Sequence, residues 1–149
     1  MPTIDKLQAK LVLDGRPTKY DVRDLDYELS KPYNNSNKPS GYPEGGIISF
    51  TILSPIKTNF EFHDWLLDVK KKGNSLIHQQ KNGDFYLPIT HGTEQTIKTL
   101  HFEMAYCVRL SEYYSSSNSS QMYLRIIISA QIIKFGENAI EFKNKTLQK

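Results

Sequence analysis

The sequence predicts a mainly β domain with at least six strands and one helix, and three observations carry that prediction. Leu100, Phe102, Met104, Tyr106, Val108 and Leu110 alternate with Thr99, His101, Glu103, Ala105, Cys107 and Arg109. A period of two over residues 99–111 is the signature of a half-buried strand. In residues 121–135, Met122, Leu124, Ile126, Ile128, Ala130 and Ile132 keep one phase, while Ile127 and Ile133 add apolar side chains to the other face. That pattern predicts a central strand covered on both sides. One stretch, residues 58–73, has helical spacing instead.

The remaining strands follow in order. Ala9, Leu11 and Leu13 alternate, Asp14-Gly15 supplies a turn, and residues 20–29 run back as the second arm of a hairpin. The apolar phase there moves from Tyr20 and Val22 to Leu25, Tyr27 and Leu29, which predicts a β-bulge at Arg23 or Asp24. Residues 47–53 form a further strand. Asn82-Gly83, the preferred pair of a type I′ turn, predicts a hairpin between residues 76–81 and 85–89. The Ser-rich loop 114–120 joins the two long strands as another hairpin.

The helix is expected over about residues 59–72. Thr58 and Glu61 have the spacing of a capping box, Phe62, Trp65, Leu66 and Val69 form an apolar face, Lys70, Lys71 and Lys72 suit the negative end of the helix dipole, and Gly73 suits the left-handed position beyond it. Between strands, residues 31–46 form a long loop with Pro32, Pro39, Pro43, Gly41, Gly45 and Gly46 among polar residues and two tyrosines. Loops of this length in a compact domain are commonly functional, and Tyr33 and Tyr42 are rigid amphipathic contacts of the kind that partner surfaces use.

Composition narrows the functional classes. The 149 residues fit one domain, and 38% hydrophobic content with 11% aromatics excludes disorder of the body. A net charge of +3, from 19 basic residues scattered among 16 acidic ones, implies no nucleic-acid partner. No apolar run reaches the roughly 18–20 residues of a membrane helix, and the first ten residues lack a signal-peptide core, so a cytoplasmic chain without membrane insertion is expected. Cys107 is the single cysteine, which excludes an internal disulfide.

Candidate chemistry is sparse. His101, Glu103 and Cys107 share a strand face in the alternating pattern and define a conceivable small hydrolase, but no accompanying signature supports a nucleophile or base. His63-Asp64 lacks the spacing of a metal motif. Gly45-Gly46 precedes a strand where phosphate binding needs a helix N-terminus. The expectation is therefore no catalytic residue, no cofactor and no metal. A second class is a monomeric β-sandwich that binds a carbohydrate or peptide through Tyr33, Tyr42, Tyr113 and Tyr114. A third route starts from the unpaired edges of a small sheet, which neighbouring copies can pair to close a ring.

In its order of elements the chain resembles the Hcp (TssD) tube proteins of type VI secretion systems, in the divergent branch that carries the TssD name. The resemblance rests on Ala9-Lys-Leu-Val-Leu-Asp-Gly15, Gly41-Tyr-Pro-Glu-Gly-Gly-Ile-Ile-Ser-Phe50 and Phe62-His-Asp-Trp-Leu-Leu67. It continues through Leu100-His-Phe-Glu-Met-Ala-Tyr-Cys-Val108 and Tyr113-Tyr-Ser-Ser-Ser117 to Ile128-Ser-Ala130. It implies one tube domain spanning residues 1–149, with a core of about 9–142, built as a β-barrel of two packed antiparallel sheets with one flanking α-helix, similar to phage tail-tube proteins.

The resemblance further implies a homohexameric ring. Such rings stack into an inner tube, are expelled by a contractile sheath together with a spike, leave the cytoplasm without a signal peptide, and hold effectors in the lumen. By the same resemblance the loop 31–46 reaches a neighbouring subunit, with Tyr33, Asn34, Pro39, Gly41, Tyr42, Pro43 and Glu44 at the subunit interface. Residues 3–8 and 84–94 depart from the family pattern as additions.

Overall fold

The computed structural model describes residues 8–56, 58–117, 121–137 and 140–145. The added segment 3–8 therefore lies largely outside the described residues, as does the tip of loop 114–120. The elements are β1 (Lys10–Leu13), β2 (Lys19–Tyr27), β3 (Ile47–Leu53), α1 (Glu61–Leu67), β4 (Val69–Lys72), β5 (Ser75–His78), β6 (Lys81–His91), β7 (Glu94–Tyr114), β8 (Met122–Phe135) and β9 (Ile140–Lys143). The architecture is mainly β with one helix, as expected.

The antiparallel ladder runs β3-β2-β1-β6-β7-β8 and then returns, because β3 also pairs with β8. Closing the ladder on itself removes most of the edge that an open sheet would leave unpaired. β7 covers one edge of β8, while β3 takes residues 123–129 of the opposite edge and β9 takes residues 132–135 of it. The interior is filled by alternate residues of each strand, among them Leu11, Leu13, Phe50, Ile52, Phe85, Phe102, Leu124, Ile126 and Ile128, all at most 1% exposed. Phe50 meets Phe85 edge-on at 5.0 Å, and Phe85 meets Phe102 at 5.6 Å, so aromatic rings form the centre of the core.

The first hairpin and its turn are as expected. Asp14 and Gly15 have φ of 51° and 67°, and the Arg16 N–H donates to the Leu13 carbonyl at 3.0 Å. The bulge predicted in β2 lies between Val22 and Asp24.

The hairpin expected around Asn82-Gly83 is not formed. β6 runs through both residues without a turn, and neither has a positive φ. Glycine is needed there for space: a Cβ on Gly83 would lie 2.5 Å from the Phe102 ring. Asn82 is held by the turn of β1 instead, donating its N–H to Asp14 Oδ1 at 2.9 Å and accepting the Asp14 N–H on its carbonyl at 2.8 Å. The two hairpins of this region are β4–β5, turning at Gly73 (φ 62°), and β6–β7, turning at Gly92 (φ 59°).

The phase predicted for β7 also changes along its length. Leu100 and Phe102 point inward, but so do Ala105 and Cys107, and Leu110 then returns to the original phase. Met104 is the cause, with φ 53° and its N–H donated to Asn82 Oδ1 at 2.9 Å. A second register shift between Cys107 and Arg109 restores the phase and leaves Val108 half exposed. β8 changes phase likewise, with Ala130 and Ile133 buried and Ile132 half-buried. Its outer face, Ile127 included, is only half-buried, where burial on both sides was expected.

Helix α1 is shorter than the 59–72 expected. Its N-cap is Phe60, whose own side chain makes no capping bond. Asn59 Oδ1 accepts the Glu61 N–H at 3.0 Å, while the Glu61 carboxylate is taken by tertiary partners instead of closing a capping box. The helix stands between the β1–β2 turn and the distal half of β7, where β6 no longer pairs. Phe62 packs edge-on to Tyr20 at 4.8 Å, Trp65 Nε1 donates to the Ala105 carbonyl at 3.1 Å, and His63 Nε2 meets Glu112 at 2.6 Å. Lys70, Lys71 and Lys72 form β4, so they complement no helix dipole.

Candidate subunit interface

The segment between β2 and β3 is a folded arm rather than a slack loop. Ser30 and Glu44 exchange backbone hydrogen bonds at 3.0 and 2.6 Å, Tyr33 bridges Pro39, and the Asn34 N–H donates to the Lys38 carbonyl at 2.9 Å. Asn34 Oδ1 accepts the N–H of Ser36 at 2.9 Å and of Lys38 at 3.1 Å, an Asx-type closure that forms the tip. Asn37, next in the tip, takes φ 62°.

The seven residues expected at an interface divide by role. Tyr33 and Tyr42 are 73% and 71% exposed and offer apolar area to a partner. Pro43 lines an open groove of about 730 Å³ together with Leu29, Phe135, Ile140 and Phe142. Asn34, Pro39 and Glu44 shape the arm through the bonds above, and Gly41 makes room for Pro32, whose Cγ would lie 2.9 Å from an added Cβ. The groove owes its second wall to β9, which sequence reasoning did not anticipate. The alternation of Ile140 and Phe142 with Glu141 and Lys143 was the available signal.

The tyrosines of the binding-module reading are not brought together. The arm leaves the barrel at the Ile47 end of β3, whereas Tyr113 pairs with Tyr123, which pairs with Leu53 at the other end. Seven residues of strand separate these ends, a distance of roughly 20 Å.

Nor do His101, Glu103 and Cys107 converge. His101 Nδ1 contacts Asp84 at 2.8 Å and its Nε2 contacts Glu103 at 3.0 Å, with Lys134 Nζ 3.2 Å from the same Glu103 oxygen. The hydrogen bond from Lys134 is the largest influence on the Glu103 carboxyl and holds it below the ordinary 4.5, against a smaller opposing effect of burial. The bulge at Met104 turns Cys107 to the interior, where burial pushes its thiol up to about 11. A neutral, buried thiol is a poor nucleophile. Cys107 in the native chain is therefore expected to resist a thiol-specific reagent at mildly alkaline pH, with full labelling only after denaturation. Rapid stoichiometric labelling of the folded chain contradicts this. Among the described residues no group of three His, Cys, Asp or Glu side chains is arranged to hold a metal.

Comparison with known proteins agrees with the fold. Curated protein sequences yield no match. Among solved structures, Hcp1 from Flavobacterium johnsoniae is similar with a TM-score of 0.70 at 24% identity, covering 93% of this chain and 100% of that one. Hcp1 from the E. coli EAEC 042 pathovar has a TM-score of 0.68 at 12% identity, covering 93% and 99%. Hcp1 from Salmonella typhimurium has 0.61 at 8%, covering 94% and 97%. These likenesses show the fold. The family described as hemolysin coregulated protein Hcp (TssD) matches residues 6–145, nearly the whole length, and the chain therefore belongs to this family of type VI secretion tube proteins.

Proposed function

We propose that the chain is one tube domain, with a core of about residues 9–142, whose copies form hexameric rings. The rings stack into the inner tube, the contractile sheath expels that tube with its spike, and effector proteins travel in the lumen. The chain accordingly starts in the cytoplasm and leaves through the apparatus. Its work is mechanical and requires no catalytic residue or cofactor.

One observation supports this reading above the others: a protruding arm, ordered by its own hydrogen bonds, holds Tyr33 and Tyr42 away from the barrel in a chain of the tube family. A self-ordered arm loses little entropy on docking, so its contact area converts into affinity. Tyr33, Asn34, Pro39, Gly41, Tyr42, Pro43 and Glu44 are its interface residues, the tyrosines making contact and the others holding shape.

Light scattering over a concentration series tests the ring, with a mass near six times 17.2 kDa expected and stacked rings by electron microscopy. Deleting residues 39–43 is expected to leave the barrel folded by circular dichroism while raising the concentration for half-assembly at least about tenfold, the scale of losing one aromatic anchor. Undiminished rings from a folded deletion variant would remove the arm from the interface. A parent chain that stays monomeric at every concentration would contradict ring formation itself.

A further inference from the structure

The β4–β5 ribbon is unusual in being open on both sides. All eight of its residues are exposed. Cross-strand partners share a face, so Val69, Lys71, Leu76 and His78 lie on one side and Lys70, Lys72, Ser75 and Ile77 on the other. Only the inner end leans on the barrel, where the His78 ring meets Tyr106 edge-on at 6.2 Å. A two-stranded ribbon without cover is marginal in water, yet this one exposes Leu76 at 62% and Ile77 at 46%. Its three lysines form no ion pair among the described residues.

A surface of opposite character lies on the same outer wall. The register Tyr106–Ser129–Ile47 runs from β7 across β8 to β3, away from the ribbon. Beside Ile47 is a groove of about 490 Å³ lined by Asp26, Glu28, Glu44 and Ser49. The three carboxylates are exposed and unpaired among the described residues, Ile47 is 48% exposed, and Ser49 Oγ is buried with no hydrogen-bond partner. Three cations with apolar neighbours and three anions with an apolar floor are thus displayed by one chain at separate places. Unlike surfaces that match between copies define a head-to-tail contact, the kind that closes rings.

We propose that the β4–β5 ribbon of one copy seats in the Asp26–Glu28–Glu44 groove of the next. This rests on the ring reading above and names a contact for it that does not involve the arm tip. The occupant is a second copy of this chain, because ribbon and groove carry opposite charge: the Ile77 face presents Lys70 and Lys72 to the carboxylates, with Lys71 on the other face. Burying Leu76 or Ile77 against Ile47 supplies the apolar part that exposed ion pairs alone lack.

Charge exchange tests it. One variant carries Lys70→Glu, Lys71→Glu and Lys72→Glu; a second carries Asp26→Lys, Glu28→Lys and Glu44→Lys; a third carries all six changes. Circular dichroism verifies folding, and light scattering at low and high salt reads assembly. Each triple variant is expected to need at least about a hundredfold more protein for half-assembly, since like charges then face each other. The six-fold variant is expected to recover most of that loss, and high salt to narrow the differences. Triple variants that assemble like the parent overturn the proposal and leave the ring reading standing. Dissociation without recovery in the six-fold variant also overturns this pairing. A monomeric parent overturns the ring reading, and this contact falls with it.

Discussion

Trp65→Ala is expected to cost about 3–5 kcal/mol, the range for removing a large aromatic side chain from a core. Trp65 is 2% exposed, packs at 6.2 Å from Phe62, and donates Nε1–H to the Ala105 carbonyl at 3.1 Å. Ala105 follows the Met104 bulge and is the last residue of β7 that pairs with β6, so the indole fastens the helix to the end of that pairing. Domains of this size have total stabilities of about 5–15 kcal/mol. The variant should therefore melt roughly 10 °C or more below the parent. Trp65→Phe refills most of the volume without the donor, and its melting temperature separates packing from the hydrogen bond. A Trp65→Ala chain that melts within a few degrees of the parent contradicts the helix's place in the barrel wall.

Glu61→Ala should have an effect of similar size by another route. The Glu61 carboxylate accepts the Tyr20 hydroxyl at 2.6 Å, pairs with Arg16, and lies 3.5 Å from Lys81 Nζ. Lys81 is 4% exposed at its side chain, and its other partner, Asp14, is 3.6 Å away. Removing Glu61 leaves the buried ammonium with Asp14 alone, a partner one-third exposed, and the cost approaches the roughly 3–5 kcal/mol of breaking a buried pair. Arg16 is half exposed and contributes less. Lys81→Met in the Glu61→Ala background should restore part of the loss, because the under-compensated ammonium is then gone. Chemical denaturation of the two single variants and the double variant measures the coupling. Simple additivity would mean that Lys81 and Glu61 do not interact.

The same cluster explains an alkaline property of the fold. Burial, reinforced by the bond to Glu61, pushes the Tyr20 hydroxyl up to about 12 from 10.0. A group whose pKa is raised by folding stabilises the native state while protonated, so this contribution is present below pH 10 and lost as pH climbs towards 12.

These residues also show where sequence reasoning succeeded and failed. The bulge in β2 was legible because Tyr20 and Val22 are followed by Leu25 and Tyr27, a phase change written into hydrophobicity itself. The bulge in β7 was not, because Met104, Tyr106 and Val108 are as acceptable inside as out. The choice fell to Asn82, whose side chain takes the Met104 N–H and whose backbone is held by Asp14. Asn82-Gly83 looked like a turn by local preference, and the Phe102 ring across the ladder used the glycine for clearance instead.

The arm was legible in part for a similar reason. Proline, glycine and tyrosine in residues 31–46 marked an exposed arm, since their backbone and surface preferences act locally. The ribbon was not visible, because Lys70–Lys72 followed by Gly73 fits a helix end as well as it fits a strand and turn. Periodicity and turn chemistry act within a few residues, and they were sufficient for the first hairpin, the two long strands and the mainly β class. Barrel closure, the ends of α1 and the facing of Cys107 depend on partners brought from far along the chain, such as Tyr20 to Glu61 and Asn82 to Met104. Where local alternatives differ by about 1 kcal/mol, one buried hydrogen bond or one ring contact is enough to choose between them.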